Sequence, residues 1–596
     1  MKKETLLWLG LWVVAVVMRF WQLGSIPATV VHDEIIYAAQ AQSIAVSGSD
    51  LTGTWRPWHF RPAHILYAEL PATVMAPAAV IISDPLVAAR AAQAIIGSLL
   101  PFILAGLSYH LFKNKSVALT TAVLAVLNPW LFQFSRLSFD AIFSLFFYFS
   151  GIYVWLAAPK WHKLWALPLL ILGFFQYQGL KIIFPALIAI TLVYDCREAI
   201  TAISIKKLSW NKLKTQLSNY LPDLLIVLCC AAIFLWYIAN LASQSASQRV
   251  GDMIFFNEDY VSSLVNEERR LSLVSPLNTL FSNKATVIGY QLLLKYARAF
   301  EPYHLFLTGE NVRNPFSVWT AGIFYPIDIL LIGAGLFYVW HVTKWRPQAY
   351  FITALILIAP LPSAVNSLDS WIMFRSSFLF PLLIMLAALG LELLRNHKKL
   401  WLFAGIVLIY SGCVVWFQYQ YWVRYPIIST KGSALAERVV NNYVARVQKD
   451  HPQHRFIVLG DESEFRFNSY LFFNRLITAD NMPAIQQTMS DHSYQLGNVR
   501  FVTDCIDLTQ LNDTTTIISE ASNTFCNSGT KADVPTAISV TNIPSLFDSG
   551  AIYKVYNDQL CSTETMQGFS QITDLKHLQV EKLDTPEFCR ALLTKD

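Results

Sequence analysis

Asp33 and Glu34, preceded by His32, stand side by side shortly after the first apolar run, Leu6 to Phe20, in a chain that otherwise keeps charge out of its apolar stretches. Carboxylates held against a membrane face are costly to desolvate and well suited to abstracting a proton, so this pair is the first candidate for chemistry. Basic and aromatic residues recur at comparable positions: His59 and Arg61, Arg90, Arg136, Tyr177 with Lys181, Tyr303 with His304, and Arg375. Each falls at or just inside the same end of an apolar run. Several cations around two acids suit an anionic, phosphate-bearing substrate that also carries a hydroxyl or amine to be deprotonated. Plainer readings stand beside these. Asp33 also suits the N-cap of a helix beginning near Glu34, and Arg90 and Arg136 suit snorkelling to lipid headgroups. His59, His64 and His304 show no ligand spacing, so no metal site is expected.

The elements that would position these residues follow from composition. Of 596 residues, 54% are hydrophobic and only 14% charged, and the mean hydropathy is +0.41. Soluble domains carry about a quarter charged residues, so the chain reads as a polytopic α-helical membrane protein. Its 18 Trp and 39 Phe fit interfacial aromatic belts. Lys and Arg lie in short clusters between apolar runs and make no single basic face, so no nucleic-acid partner is expected.

Runs of spanning length lie near 6–20, 86–112, 116–134, 139–158, 164–178, 180–195, 222–241, 322–342, 350–364, 376–394 and 400–418, about eleven transmembrane helices. Met1-Lys2-Lys3 implies a cytoplasmic N-terminus and a retained anchor. Alternating the runs then puts Lys113 and Lys115, Lys160 and Lys163, Lys206 to Lys214, Lys344 and Arg346, and Arg395 to Lys399 all on the cytoplasmic side. That agreement places Asp33, and everything beyond about 420, outside. The expected location is the plasma membrane, multi-pass.

Two external loops are long. Residues 24–85 contain a helical pattern near 34–47 and another near 64–82; Pro71, Pro77 and Glu69 mark the second as interfacial. Residues 242–320 mix charges with an amphipathic stretch from Leu277 to Phe300. Residues 427–596 have soluble composition, with a helical pattern near 433–449 and strands at Phe456 to Leu459 and Val499 to Val502, which suggests an extracytoplasmic α/β domain. The expected division is 1–426 and 427–596. Cys505, Cys526, Cys561 and Cys589 all fall in the latter, an even number that suggests two disulfides in an oxidising compartment.

Gly24-Ser25-Ile26-Pro27 followed by His32-Asp33-Glu34-Ile35-Ile36-Tyr37-Ala38 resembles the opening of the C-type (GT-C) membrane glycosyltransferases, a family 39-like group that includes protein O-mannosyltransferases and lipid A aminoarabinose transferases. The similarity continues through Arg61-Pro62-Ala63-His64, Asn128-Pro129-Trp130 with Ser135-Arg136, and Tyr177-Gln178-Gly179-Leu180-Lys181. It runs on through Phe300-Glu301-Pro302, Leu305 to Gly309, Ala359 to Ser363 and Phe374-Arg375-Ser376. It spans roughly residues 5–425. Ala63-His64 replaces the proline and leucine usual in aminoarabinose transferases, and Lys181 stands where many relatives carry Arg.

The resemblance implies a GT-C arrangement of helices and an inverting transfer of a sugar from a polyprenyl-phosphate donor to an acceptor protein, lipid or glycan. Carried onto this chain, Asp33 is the general base and Glu34 its support. Arg61, Arg375, Lys181 and Arg136 are the donor-phosphate ligands, and His32, Tyr37, His59, Tyr177, Tyr303 and His304 line the cavity. With no DxD triplet, no cofactor is required, although Asp33-Glu34 could recruit a divalent ion. A transporter or lipid flippase with an external accessory domain is the alternative; the absence of an internal repeat speaks against it.

Overall fold

The computed structural model describes residues 3–27, 30–54, 67–198, 220–241, 251–310, 317–368, 372–396, 400–429, 433–503, 514–520, 540–544 and 551–557. In chain order the helices begin with α1 (Lys3–Phe20), α2 (His32–Ser47), α3 (Pro71–Ile81), α4 (Pro85–Phe112), α5 (Lys115–Leu127), α6 (Pro129–Phe134) and α7 (Ala141–Ala157). They continue with α8 (Ala166–Phe174), α9 (Phe184–Asp195), α10 (Leu221–Leu241), α11 (Glu258–Arg270), α12 (Leu277–Phe281), α13 (Lys284–Arg298), α14 (Asp328–His341) and α15 (Arg346–Ile358). The last are α16 (Leu379–Asn396), α17 (Leu400–Tyr419), α18 (Ser433–Asp450), α19 (Ser463–Phe473) and α20 (Met482–Ser490).

Each apolar run expected to span carries a helix. Among the described residues four helical stretches are long and apolar enough to cross a bilayer: Pro85–Phe112, Leu221–Asn240, Thr343–Ala364 and Trp401–Arg424. Others are shortened by polar breaks. The run 116–134 divides at Asn128, whose side chain accepts from the Leu131 N–H and starts α6 with Pro129 as its first residue, the position where a missing N–H costs nothing. In the first long loop the second helix is α3, 11 residues and too short to span.

The chain divides into two compact units, Met1–Phe20, His64–Pro71 and Gln93–Gln418 in the first, and Trp21–Ala63, Ala72–Ala92 and Tyr419–Asp596 in the second. By backbone contacts the second unit also takes most of the first long loop. Hydrophobic pattern could place elements there but not assign their partners.

In the first unit the backbones of α14 and α16 meet at two glycines. A Cβ on Gly335 would overlap the Leu386 carbonyl, and one on Gly390 the Leu331 carbonyl. Small residues permit this approach, and dispersion between helices in an apolar solvent rewards it. Nearby, Trp130 stacks on Phe134 at 4.3 Å and meets Phe380 edge-on at 4.9 Å.

The second unit is an α/β layer structure. Its strands are β1 (Arg455–Leu459), β2 (Gln495–Leu496), β3 (Val499–Val502), β4 (Thr515–Glu520), β5 (Val540–Pro544) and β6 (Ala551–Tyr556), in the order β2-β3-β1-β4-β6-β5. β1 pairs in parallel with β3, Phe456 opposite Val499, and with β4, Arg455 opposite Thr515. The remaining pairs are antiparallel. The crossover from β1 to β3 runs through α19 and α20, as a parallel connection requires. Val440, Tyr443, Val444 and Val447 of α18 share one core with Phe467 and Leu471 of α19, and with Ala39 and Leu51 of the α2 segment. The acidic helix is therefore built into this core.

The expected strands at 456–459 and 499–502 and the helix at 433–449 are all present. Cys505, Cys526, Cys561 and Cys589 lie outside the described residues; Cys196, Cys229, Cys230 and Cys413 are free thiols. The glycine contact gives a test. Gly335→Ala should lower the stability of the detergent-solubilised protein by about 1–3 kcal/mol through overpacking, whereas Gly405→Ala, at a glycine with nothing near its Cβ position, should leave the thermal midpoint almost unchanged.

Candidate active site

The helix α2 begins two residues earlier than expected, at His32. Its N-cap is Val31, in extended conformation, not Asp33. Valine offers no capping oxygen, so Glu34 reaches back to accept from the Val31 N–H at 3.2 Å, one half of the reciprocal cap found at many helix starts. The same carboxylate receives Arg90 of α4 on both oxygens, Nε to Oε1 at 3.0 Å and Nη2 to Oε2 at 3.2 Å. Arg90 Nη1 donates to the Leu23 and Pro27 carbonyls. Both side chains are fully buried. Arg90 therefore does not snorkel, and its ion pair with Glu34 fastens the start of α2 to α4.

Asp33 differs from its neighbour. Its side chain is 35% exposed, and its Oδ1 lies 3.8 Å from His32 Nδ1. On the other side His32 Nε2 stands 3.6 Å from Glu462, and its ring meets Phe465 of α19 at 4.1 Å. Tyr37, one turn after Asp33 on the same helical face, is buried. A carboxylate that reaches solvent from a helix start fixed beneath it can take a proton from an approaching group.

The basic residues of the first unit have separate tasks. Lys181 Nζ contacts both oxygens of Glu69 at 2.7 Å, with both side chains buried. Burial pushes the Glu69 carboxyl above its ordinary value while the ammonium pulls it down. Around the pair, the Leu70 N–H donates to the Phe175 carbonyl, and Gln178 donates to the Tyr67 carbonyl and accepts from Tyr237. Arg136 donates to the carbonyls of Met18 and Arg19 at 3.1 and 2.8 Å, and Arg19 donates to Ser135 at 3.0 Å. Lys181 and Arg136, expected as phosphate ligands, are thus committed to buried partners.

Arg375 ends a one-turn helix, Ile372–Arg375. Glu310 accepts from the Met373 and Phe374 N–H groups that start this turn. Ser376 shares a 2.8 Å hydrogen bond with Ser363, which joins the Pro360-Leu361-Pro362-Ser363 and Phe374-Arg375-Ser376 motifs. Tyr177 packs on Phe374 at 5.2 Å. Beside this turn lies a cavity of about 290 Å³ lined by Arg298, Glu301, His304, Ile372 and Met373. His304 Nε2 is 3.5 Å from Glu301, and Tyr303, next to it in sequence, is exposed. Guanidinium, carboxylate and imidazole in one recess can bind a hydroxyl-rich or anionic group.

The structure therefore groups His32, Asp33, Glu34 and Tyr37 in the second unit, and Tyr177, Tyr303, His304 and Arg375 in the first. His59 and Arg61 lie outside the described residues. Arg298, Glu301 and Glu310 were not anticipated; the spacing of Glu301 to His304, three residues apart in a helical pattern, was the available signal. Among the described residues no group of three or more His, Cys, Asp or Glu is placed to hold a metal ion. Arg90→Met should cost about 3–5 kcal/mol by leaving Glu34 charged and alone, with partial recovery when Glu34→Met is added. Asp33→Asn should leave the thermal midpoint close to wild type in the same unfolding assay.

No family model matches this sequence, and no curated protein matches it. Among solved structures, ArnT from Cupriavidus metallidurans bound to undecaprenyl phosphate aligns with a TM-score of 0.50 at 11% identity, covering 92% of this chain and 98% of ArnT. The apo state of the same protein gives 0.49 at 12% identity with the same coverage. The first match takes in nearly the whole of each chain, so the likeness is not that of a single helical motif. This chain has the fold of ArnT.

Proposed function

We propose that this chain is a membrane glycosyltransferase that moves a sugar from a polyprenyl-phosphate donor to an acceptor hydroxyl on the extracytoplasmic face, with inversion. The observation that carries the reading is the contrast within the acidic pair: Glu34 is buried and spent on Arg90, while Asp33 reaches solvent from the same turn. ArnT, which shares the fold, binds undecaprenyl phosphate in its crystal structure, and that supports a polyprenyl-phosphate donor here.

In this reading Asp33 takes the acceptor proton as the oxygen attacks the anomeric carbon. The bond from that carbon to the phosphate oxygen breaks, and the electron pair leaves with the lipid phosphate. Arg375, with Arg61, meets the charge that grows on the departing phosphate. Glu34 does not share the proton; with Arg90 it fixes where Asp33 stands. Lys181 and Arg136 hold the scaffold. His304, with Arg298 and Glu301, contributes to the recess beside the Arg375 turn, and Tyr177 packs against that turn. In this reading the N-terminus is cytoplasmic and the domain of residues 427–596 is extracytoplasmic.

The test uses the full-length protein in vesicles with a polyprenyl-phosphate sugar and a mixture of acceptors, read as labelled product. Asp33→Asn should slow transfer by about 10²–10⁴ while binding of the lipid phosphate is kept. Arg375→Ala should slow it by about 10²–10³. Transfer at the wild-type rate in the Asp33 variant would overturn the assignment of the base, and substrate flux across the vesicle without covalent product would point to a transporter.

A further inference from the structure

The segment between α11 and α13 is a hairpin with an unusual tip. Asn257 caps α11, Asn283 and Thr286 form a reciprocal cap on α13, and Lys284 pairs with Glu258 across the stem. Arg269 Nε donates to the Ser282 carbonyl and closes the turn. The tip is thus ordered by its own polar contacts. Yet its apolar side chains point away from the protein: Leu273 is 91% and Val274 104% exposed, and Leu271, Leu277, Leu280 and Phe281 are each more than half exposed. A contiguous patch of this kind is unfavourable in water and marks a surface that is covered in use.

Three observations identify the cover. The stem is fastened to a spanning helix at its outward side: Tyr296 of α13 donates to the Leu357 carbonyl of α15, and the Leu357 and Tyr350 side chains of that helix are themselves exposed. In a bilayer such residues on a span meet lipid. The outer stripe of α13, Tyr290 and Leu293, is likewise apolar and exposed, so apolar surface continues along the hairpin from span to tip. Polar groups take the other side. Glu258, Asp259, Glu267 and Glu268 lie on α11, and the exposed cations Arg269 and Arg270 precede the tip, where anionic headgroups would meet them.

We propose that residues 271–281 insert into the adjoining leaflet of the membrane and hold the 251–310 segment against the bilayer. This rests on the chain spanning a membrane and is independent of sugar transfer. It can be read with a nitroxide carried on an unnatural ketone-bearing residue at position 274 of the full-length protein, in vesicles of phosphatidylethanolamine and phosphatidylglycerol. A second label at Glu267, on the polar helix, serves as reference. Insertion predicts that the ratio of oxygen to nickel-chelate accessibility at 274 exceeds that at 267 severalfold. A nickel-accessible label at 274 would show the tip in water and overturn the proposal. Exclusion of both relaxants would show a protein cover, such as a second copy of the chain, and would overturn it as well.

Discussion

Arg90 meets the Glu34 carboxylate with two nitrogens and gives its third to the carbonyls of Leu23 and Pro27, in a place where neither side chain touches solvent. Removing both charges from water opposes such a pair, and attraction offsets that penalty only when the geometry is good and the remaining donors find acceptors. Here they do. The pair joins the start of α2 to α4 and to the chain between α1 and α2, so it sets the one turn that carries Asp33. A neutral pair would pack as well. What the charged pair adds is a definite register for that turn, since Arg90 must reach the Glu34 carboxylate and the Leu23 and Pro27 carbonyls at once.

The same device recurs in the first unit. Lys181 and Glu69 are buried together beside the Leu70 to Phe175 backbone bond, and Arg136 closes on two carbonyls at the end of α1. In a setting where water is scarce, a helix end must find protein partners for its polar groups, and long cations reach far enough to supply them. A count of such cations in the sequence therefore overstates how many can meet a ligand. Arg375, itself buried, ends a helix of only one turn that Glu310 caps, with Ser376 and Ser363 holding the next residue.

Much of the architecture was legible in the residues. The apolar runs became helices, and Val440, Tyr443, Val444 and Val447 showed the helical spacing that α18 turns inward. Asn128 and Pro129 could have announced the break between α5 and α6. The association of α2 with residues after 419 could not be read, because Ala39 and Leu51 belong to no pattern that names Phe467 or Ile485 as neighbours. Nor could the N-cap be read. Asp33 has the better capping chemistry, but the tertiary pull of Arg90 on Glu34 moved the helix start to Val31.

The sequence by itself determined the class of the protein, the position of its helices and the α/β character of its last part, and it drew attention to the Asp33-Glu34 pair. These follow from local periodicity and from the solvent each stretch prefers, and both are properties of neighbouring residues. Only the tertiary structure decided which charges are spent on one another. Glu34 and Arg90 are 56 positions apart and Lys181 and Glu69 are 112 apart, and a pairing over such distances is fixed by how the helices pack. Two adjacent carboxylates that look alike in sequence thereby became a buried fastening and a partly exposed carboxylate.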